Sequence, residues 1–393
     1  MLFRSQVPIV DTANLITKKT VWSNVKSVLK TYFDGIYAVG IVVTSSSGAG
    51  DSGKIPALNA SGVLDDSFQN LNNQYFGNGV DGDLVYDGST TILGMAPAAS
   101  VYTLTRDIYA ANLTVNNGVS IITNGYIIFA SKILTNNGTI KHNGGNGGNG
   151  GIGSGSDVPG GTAGALAAGG SLGAGKIGQV GGAGIISDAG YSTGINGTAS
   201  NPSLGSSGTA GGNGGGTAGA IGGTAGTATG EVGSLLQAYP GTLTSGSVIN
   251  SYLQILAKGA TSGVTLSGSA GSGSGASGFY NNGNNVRGGS GGGSGASGGC
   301  MEIIARYIVN AGTISVNGGK GGNGGAGAGG SGDGGGGAGG SGGVMVLIYY
   351  SLTGAGSITA TGGTHGSTTA GGWATGTNGA DGLAGKIYKV QII

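Results

Sequence analysis

The side chains able to do chemistry are few and far apart. After Lys141 the sequence carries six carboxylates, Asp157, Asp188, Glu231, Glu302, Asp333 and Asp381, widely scattered along the chain. Glycoside hydrolysis needs two carboxyl groups held about 5–10 Å apart, and here only folding could bring such a pair together. The two His (His142, His365) and the single Cys300 make no metal-ligand cluster of familiar spacing. Asp65-Asp66 reads as a cation ligand pair or as a solvated turn, the second being the commoner use. Gly-rich stretches such as Gly211–Gly216 lack the Gly-x-x-x-x-Gly-Lys-Ser/Thr spacing of a phosphate loop. Recognition chemistry is better represented. Tyr191, Tyr239, Phe279, Tyr280 and Trp373 are isolated aromatics amid Asn, Ser, Thr and Gly. The run Phe279–Arg287 (FYNNGNNVR) places Phe279 and Tyr280 beside Asn281, Asn282 and Arg287, and a second patch runs from His365 to Asp381 around Trp373. An aromatic face beside amide and guanidinium donors suits a sugar ring or a flat protein epitope. The competing role for each aromatic is to plug the end of a packed core. The expected site is therefore a binding site without catalysis, metal or cofactor.

What positions these residues is unusual. Of 393 residues 97 are Gly, only 8% are charged, and the formal net charge is +1. Sixteen Lys+Arg against fifteen Asp+Glu leave no electrostatic footprint for nucleic acid. Six Pro and no sustained Gly-X-Y exclude collagen, and one Cys excludes an intrachain disulfide scaffold. No apolar run is long enough to span a bilayer, so membrane insertion is not expected. MLFRSQVPIV at the start lacks the apolar core of a signal peptide. Fourteen of the Gly fall before residue 141, so composition breaks near Lys141, and the chain beyond it is about one-third Gly.

Ahead of that break, Val21, Trp22, Val25, Val28, Leu29, Tyr32, Phe33 and Ile36 recur in steps of three and four, the stripe of an amphipathic helix. Lys18, Lys19, Lys26 and Lys30 fall largely off the stripe, and Gly35 supplies a stop. The stripe packs either on its own domain or against copies of itself around an axis.

The same stretch, TKKTVWSNVKSVLKTYFDGIY (Thr17–Tyr37), resembles the virion-proximal segment of tailed-bacteriophage fibre proteins. Further on, DSGKIPALNASGVLDDSF (Asp51–Phe68) resembles a short module that recurs in such fibres. Together they cover about 40 residues, a tenth of the chain, and their order and spacing are more specific than either alone. The resemblance implies a homotrimer with its N-terminus docked to virion proteins and its C-terminus distal.

From Asp81 to Ile140 the texture is β. Short runs rich in Val, Ile, Thr and Tyr (Val101–Leu104, Leu113–Val115, Val119–Ile122, Tyr126–Ala130, Lys132–Thr135) are broken by Asn-Gly and Asn-Asn-Gly punctuation. Such spacing suits a β-solenoid or a compact sandwich. A repeat then emerges. Asn136-Asn137-Gly138-Thr139-Ile140 returns as Asn310-Ala311-Gly312-Thr313-Ile314 and as Gly354-Ala355-Gly356-Ser357-Ile358. Each copy follows an apolar run (Tyr126–Leu134, Met301–Val309, Val344–Leu352), and Lys386–Ile393 is a further run.

Between these runs Gly recurs every third residue, as at Gly144, Gly147, Gly150 and Gly153, or Gly318, Gly321, Gly324 and Gly327. An extended left-handed helix has three residues per turn, so such a period leaves one edge bare and lets backbones approach closely enough to hydrogen-bond. The alternatives are a flexible Gly/Ser coil or a silk-like β-stack.

The resulting expectation is a mainly β chain with a short N-terminal helix. It would form an elongated homotrimeric fibre, ending in a Gly-rich domain of short strands and polyglycine-II-like rods. Its expected organisation is 1–47 for virion attachment, 48–90 as a collar or linker, 91–140 as a β segment and 141–393 as the Gly-rich tip. The chain would be made in the host cytoplasm, reside in the virion, and adhere through its tip to a host surface glycan or outer-surface protein. A purely structural appendage and a surface-polysaccharide depolymerase are the alternative functions.

Overall fold

The computed structural model describes residues 75–153, 159–165, 169–184, 191–192, 194–199, 214, 279–280, 288–328, 331–369 and 374–392. Before these it describes the short elements 9–11, 16–18, 26–31, 42–43 and 55–56. The chain divides into two compact units, Met1–Gln74 and Tyr75–Ile393. In the first, β1 (Ile9–Asp11) pairs antiparallel with β2 (Ile16–Lys18), and β3 (Val42–Val43) pairs parallel with β4 (Ile55–Pro56). Residues 26–31 are helical, inside the span that the apolar stripe marks. Val28 is 70% and Leu29 44% exposed, so this part of the stripe is not buried within the chain. Val21, Trp22, Val25, Tyr32 and Phe33 lie outside the described residues.

The second unit is built on two parallel sheets. The chain moves back and forth between them, through β5 (Leu84–Tyr86), β6 (Val101–Thr103), β7 (Ile108–Ala110), β8 (Leu113–Val115), β9 (Ser120–Ile122), β10 (Ile128–Asn136) and β11 (Thr139–Lys141), with β7 and β8 consecutive in one sheet. Far along the sequence it resumes with β14 (Cys300–Asn310), β15 (Thr313–Ser315), β16 (Val344–Thr353), β17 (Ser357–Thr359) and β18 (Lys386–Gln391). One sheet runs β18-β16-β14-β10-β8-β5, with β7 also on β10, and the other runs β17-β15-β11-β9-β6. Every pairing within these two sheets is parallel. The Asn-Gly punctuation therefore turns corners between sheets and does not close hairpins, whose strands would be antiparallel. Parallel strands stacked in register while the chain winds past them make a solenoid, the first of the two architectures that the spacing suits. The runs expected at Tyr126–Ala130 and Lys132–Thr135 merge into β10, which keeps a register irregularity between Ala130 and Ile133.

The repeat in the sequence is the stacking repeat of the solenoid. Ile121, Ile140, Ile314 and Ile358 are successive partners in the second sheet. Leu113, Leu134, Ile308 and Leu352 are successive partners in the first. Alternation along each strand turns these residues inward, into one core that also takes Tyr86, Tyr102, Ile128, Met301, Ile303 and Leu347. At the corner an Asn column follows the same register. Asn136 Nδ2 donates to Asn310 Oδ1 at 2.7 Å, and the third copy replaces Asn with Gly354 at φ +103°. A Cβ there would lie 2.1 Å from the Asn310 carbonyl oxygen, which explains the departure from the motif.

Beyond the second sheet the chain runs into Gly-rich segments that are neither helix nor strand, and their hydrogen bonds step by three. Gly144, Gly147 and Gly150 donate to the carbonyls of Asn317, Lys320 and Asn323 at 2.7–2.9 Å. Gly318, Gly321 and Gly324 donate in turn to Thr361, Thr364 and Ser367. The segment 288–299, buried throughout, bonds to five others, 142–151, 159–165, 176–182, 317–325 and 332–341. Contact is close enough to exclude side chains, since a Cβ at Gly322 would lie 1.9 Å from the Gly148 oxygen and one at Gly337 2.1 Å from that of Gly293. Where Ser stands in the 288–299 segment it takes part in the network. Ser290, Ser294 and Ser297 Oγ accept the N–H groups of Gly151, Gln179 and Lys176 at 2.6–2.7 Å. Backbone N–H and C=O groups buried this way satisfy one another, which is the condition for burying so much main chain.

Candidate functional site

Three of the sequence-marked aromatics, Tyr191, Phe279 and Tyr280, fall on one two-stranded ribbon. β12 (Tyr191–Ser192) pairs antiparallel with β13 (Phe279–Tyr280), opposing Tyr191 to Tyr280 and Ser192 to Phe279. An isolated aromatic and the start of the Phe279–Arg287 patch, 88 residues apart in sequence, thus share one ribbon. Asn281, Asn282, Arg287, Tyr239 and Trp373 lie outside the described residues. His365 is half-buried and linked to the other end of its patch. Its backbone N–H donates to Asp381 Oδ1 at 2.8 Å, and its ring Nδ1 lies 2.6 Å from the same oxygen. Those two bonds, the backbone one foremost, hold the Asp381 carboxyl below the usual carboxylate range.

A second constellation escapes the sequence pattern. Asp107 and Ile127 each precede the paired residues Ile108 and Ile128, and Ile128 pairs with Ile303, the neighbour of Glu302. Asp107, Ile127 and Glu302 therefore share one row on one sheet face. Asp107 accepts the Ile127 N–H at 2.8 Å and the Ser171 hydroxyl at 2.7 and 2.8 Å. Glu302 is fully buried, and neither carboxylate oxygen has a hydrogen-bond partner. It lies on the same face of β14 as Cys300 and Ile304, which cluster with Phe76, Leu172, Val344, Val346 and Ile348. Burial, with a smaller contribution from Asp107, pushes its pKa up to about 7. Asp107 is not one of the six acids that follow Lys141, so this is not the pair those six could form, and Glu302 is buried on the face that carries the apolar cluster.

The third feature is a face where the Gly-rich segments meet solvent. Asn143, Asn146 and Asn149 stand on one segment, Asn317, Lys320 and Asn323 on the next, and Thr361, Thr364 and Ser367 on the third. Asn143, Asn146 and Asn149 accept through Oδ1 the backbone N–H groups of Asn317, Lys320 and Asn323 at 2.7–2.9 Å. Asn317 and Asn323 likewise accept those of Thr361 and Ser367 at 2.9 and 3.0 Å. The period of three that brings Gly inward thus brings these residues outward. The Asn side chains cap edge N–H groups that the neighbouring backbone does not reach.

Elsewhere the polar clusters serve turns. Asp87 accepts from the N–H groups of Ser89 and Thr90, from the Thr90 hydroxyl and from Tyr102 Oη, which holds its carboxyl well below the usual range. Arg106 pairs with Asp81. Among the described residues no group of three or more His, Cys, Asp or Glu is placed to hold a metal ion, and no helix is long and apolar enough to cross a membrane. Comparison with known protein families, with curated proteins and with solved structures returned no match.

Proposed function

We propose that the chain is a fibre protein of a tailed-bacteriophage virion, which adheres to a bacterial surface receptor through its Gly-rich region without chemical turnover. In this reading the N-terminal unit docks to virion proteins and three copies form an elongated homotrimer. The Gly-rich segments are polyglycine-II-like rods. The observation that carries the reading is the three-residue hydrogen-bond step between segments, matched to a helix of three residues per turn. A lattice of this kind ties main chain to main chain and leaves the outward side chains and connecting loops free to vary, as a recognition scaffold requires. The fibre-like motifs at Thr17–Tyr37 and Asp51–Phe68 support the virion assignment. The exposed Val28 and Leu29 support a stripe that meets copies of itself.

Two measurements test the reading. Light scattering of the full-length chain is expected to give three times 37.1 kDa, and a monomer removes the fibre axis. The labelled protein is expected to adsorb to intact cells within a panel of bacterial strains and to release no reducing ends from their surface glycans. Adsorption to none of them leaves a structural appendage, and release of reducing ends makes the chain a depolymerase.

A further inference from the structure

We infer that the face formed by residues 143–149, 317–323 and 361–367 is a docking surface for a linear polysaccharide that carries carboxylates. The inference deepens the adhesion reading and rests on it, because it names a surface and a ligand class for that adhesion.

The amides on this face have a fixed orientation. Asn143, Asn146, Asn149, Asn317 and Asn323 each commit Oδ1 to a backbone N–H of the next segment. What each has left to offer is its Nδ2, which carries two donors. Thr361, Thr364 and Ser367 add exposed hydroxyls along the third segment. The charge over the nine outward positions is one-sided as well, and the acid nearest them, Asp381, borders the third segment, where it is engaged by the His365 N–H and ring. None of the nine positions is Asp or Glu, Lys320 stands exposed at the centre, and Lys141 lies two residues before Asn143. A surface of aligned donors around an ammonium complements a ligand rich in acceptors and negative charge.

Repetition points to a polymer. With three residues per turn and about 3.1 Å rise, successive donors on one segment stand roughly 9 Å apart. A small ligand would touch only a few such groups. A chain whose own groups repeat engages many, and each further contact becomes intramolecular once the first has formed. The cost of ordering side chains on binding is reduced for the Asn residues, since the ladder already fixes them.

The test is affinity electrophoresis of the full-length protein through gels cast with alginate, a linear carboxylated polysaccharide, or with dextran, a neutral one. The wild type is expected to be retarded by alginate and not by dextran. The double variant N146D/N323D keeps both Oδ acceptors for the Lys320 and Ser367 N–H groups. It removes two donors and adds two negative charges, so its alginate affinity should fall at least tenfold with its melting temperature unchanged. T364E alters an exposed side chain outside the ladder and should weaken retardation by itself. Absence of wild-type retardation in alginate, equal retardation in dextran, or retention that survives both N146D/N323D and T364E would each overturn the inference. If the wild type still adsorbs to cells in those cases, adhesion stands and only this face loses its role. If adsorption fails too, the adhesion reading falls with it.

Discussion

Two halves of the same unit are held by opposite means. Between Leu84 and Lys141, and again along β14 and β16, the sheets close on apolar side chains, with Ile over Ile and Leu over Leu from one turn of the solenoid to the next. In segments such as 288–299 and 331–343 the interior is main chain, and the groups in contact are N–H and C=O. Yet β14 and β16 emerge directly from those two segments, so the side-chain core and the backbone lattice share one register. The same offsets of 174 and 44 residues relate Thr139 to Thr313 and Ser357 in the sheet, and Asn143 to Asn317 and Thr361 in the lattice. A solenoid sets the spacing of its strands by their hydrogen bonds, and the Gly-rich segments continue that spacing where no side chain fits. Gly gives up more conformational freedom than any other residue on folding. The lattice therefore depends on the apolar half to fix its entry points.

The sharpest way to break this symmetry is to add one methyl group. Gly322→Ala and Gly337→Ala place a Cβ at 1.9 and 2.1 Å from a backbone oxygen. No flexible side chain can move aside there, so segments must separate along their length. Loss of more than about 4 kcal/mol, or failure to fold, is expected for either, read by denaturant unfolding. A stable, native-like Gly322→Ala protein would mean that the lattice is looser than its contacts require. In the apolar half the opposite change is the damaging one. Ile303→Ala or Leu134→Ala, both fully buried, should cost about 2–5 kcal/mol through lost burial and a residual cavity.

Much of this contrast was legible in the sequence, and the reasons differ by region. The Asn-x-Gly-Thr-Ile repeat is readable because a stacked turn must present the same side chain at the same height, as Thr139, Thr313 and Ser357 do. The three-residue Gly period is readable because the lattice admits nothing larger at those positions. Parallel pairing was not legible, since Asn116-Asn117-Gly118 reads equally well as a hairpin turn or a solenoid corner. The pairing of Tyr191 with Tyr280 joins positions 89 residues apart, which no local pattern records. Glu302 was only one of six scattered acids. It is buried on the face where Leu172 packs with Cys300 and Ile304, and the Leu172 N–H to Gly125 carbonyl bond that places that segment against the sheet has no short-range signal.

Glu302 provides the next test, because it is a polar group lodged in the half that runs on apolar contacts. Its pKa stands at about 7 in the folded chain against an ordinary 4.5. Between those values the folded state keeps a proton that the unfolded state has released. Stability should therefore fall as pH rises from about 4.5 to 7 and stay lowered above that. The full cost corresponds to about 3 kcal/mol. Glu302→Gln, measured by melting at pH 5 and pH 8, should remove most of this slope and leave the variant the more stable protein at pH 8. A slope unchanged in the variant would assign the pH dependence to another group.

The smallest effect compares one amide in each region. Asn310 and Asn317 both use Oδ1 to accept a hydrogen bond, from Asn136 Nδ2 at 2.7 Å and from the Thr361 N–H at 2.9 Å. Asn310 is 2% exposed, and Asn136 beside it already holds an Oδ1 without a partner. Asn310→Ala weakens a buried amide network, so it should cost about 1–3 kcal/mol. Asn317 stands on the edge, and the N–H that it releases belongs to exposed Thr361, where water replaces the lost acceptor. Asn317→Ala should therefore cost no more than about 1 kcal/mol. Denaturant unfolding of the two variants at one pH separates them. Equal losses would mean that the outer Asn ladder holds the lattice as firmly as the buried column holds the solenoid. The expected inequality leaves the outer ladder as a surface that can change sequence at little structural cost, and a recognition face needs that freedom where a core does not have it.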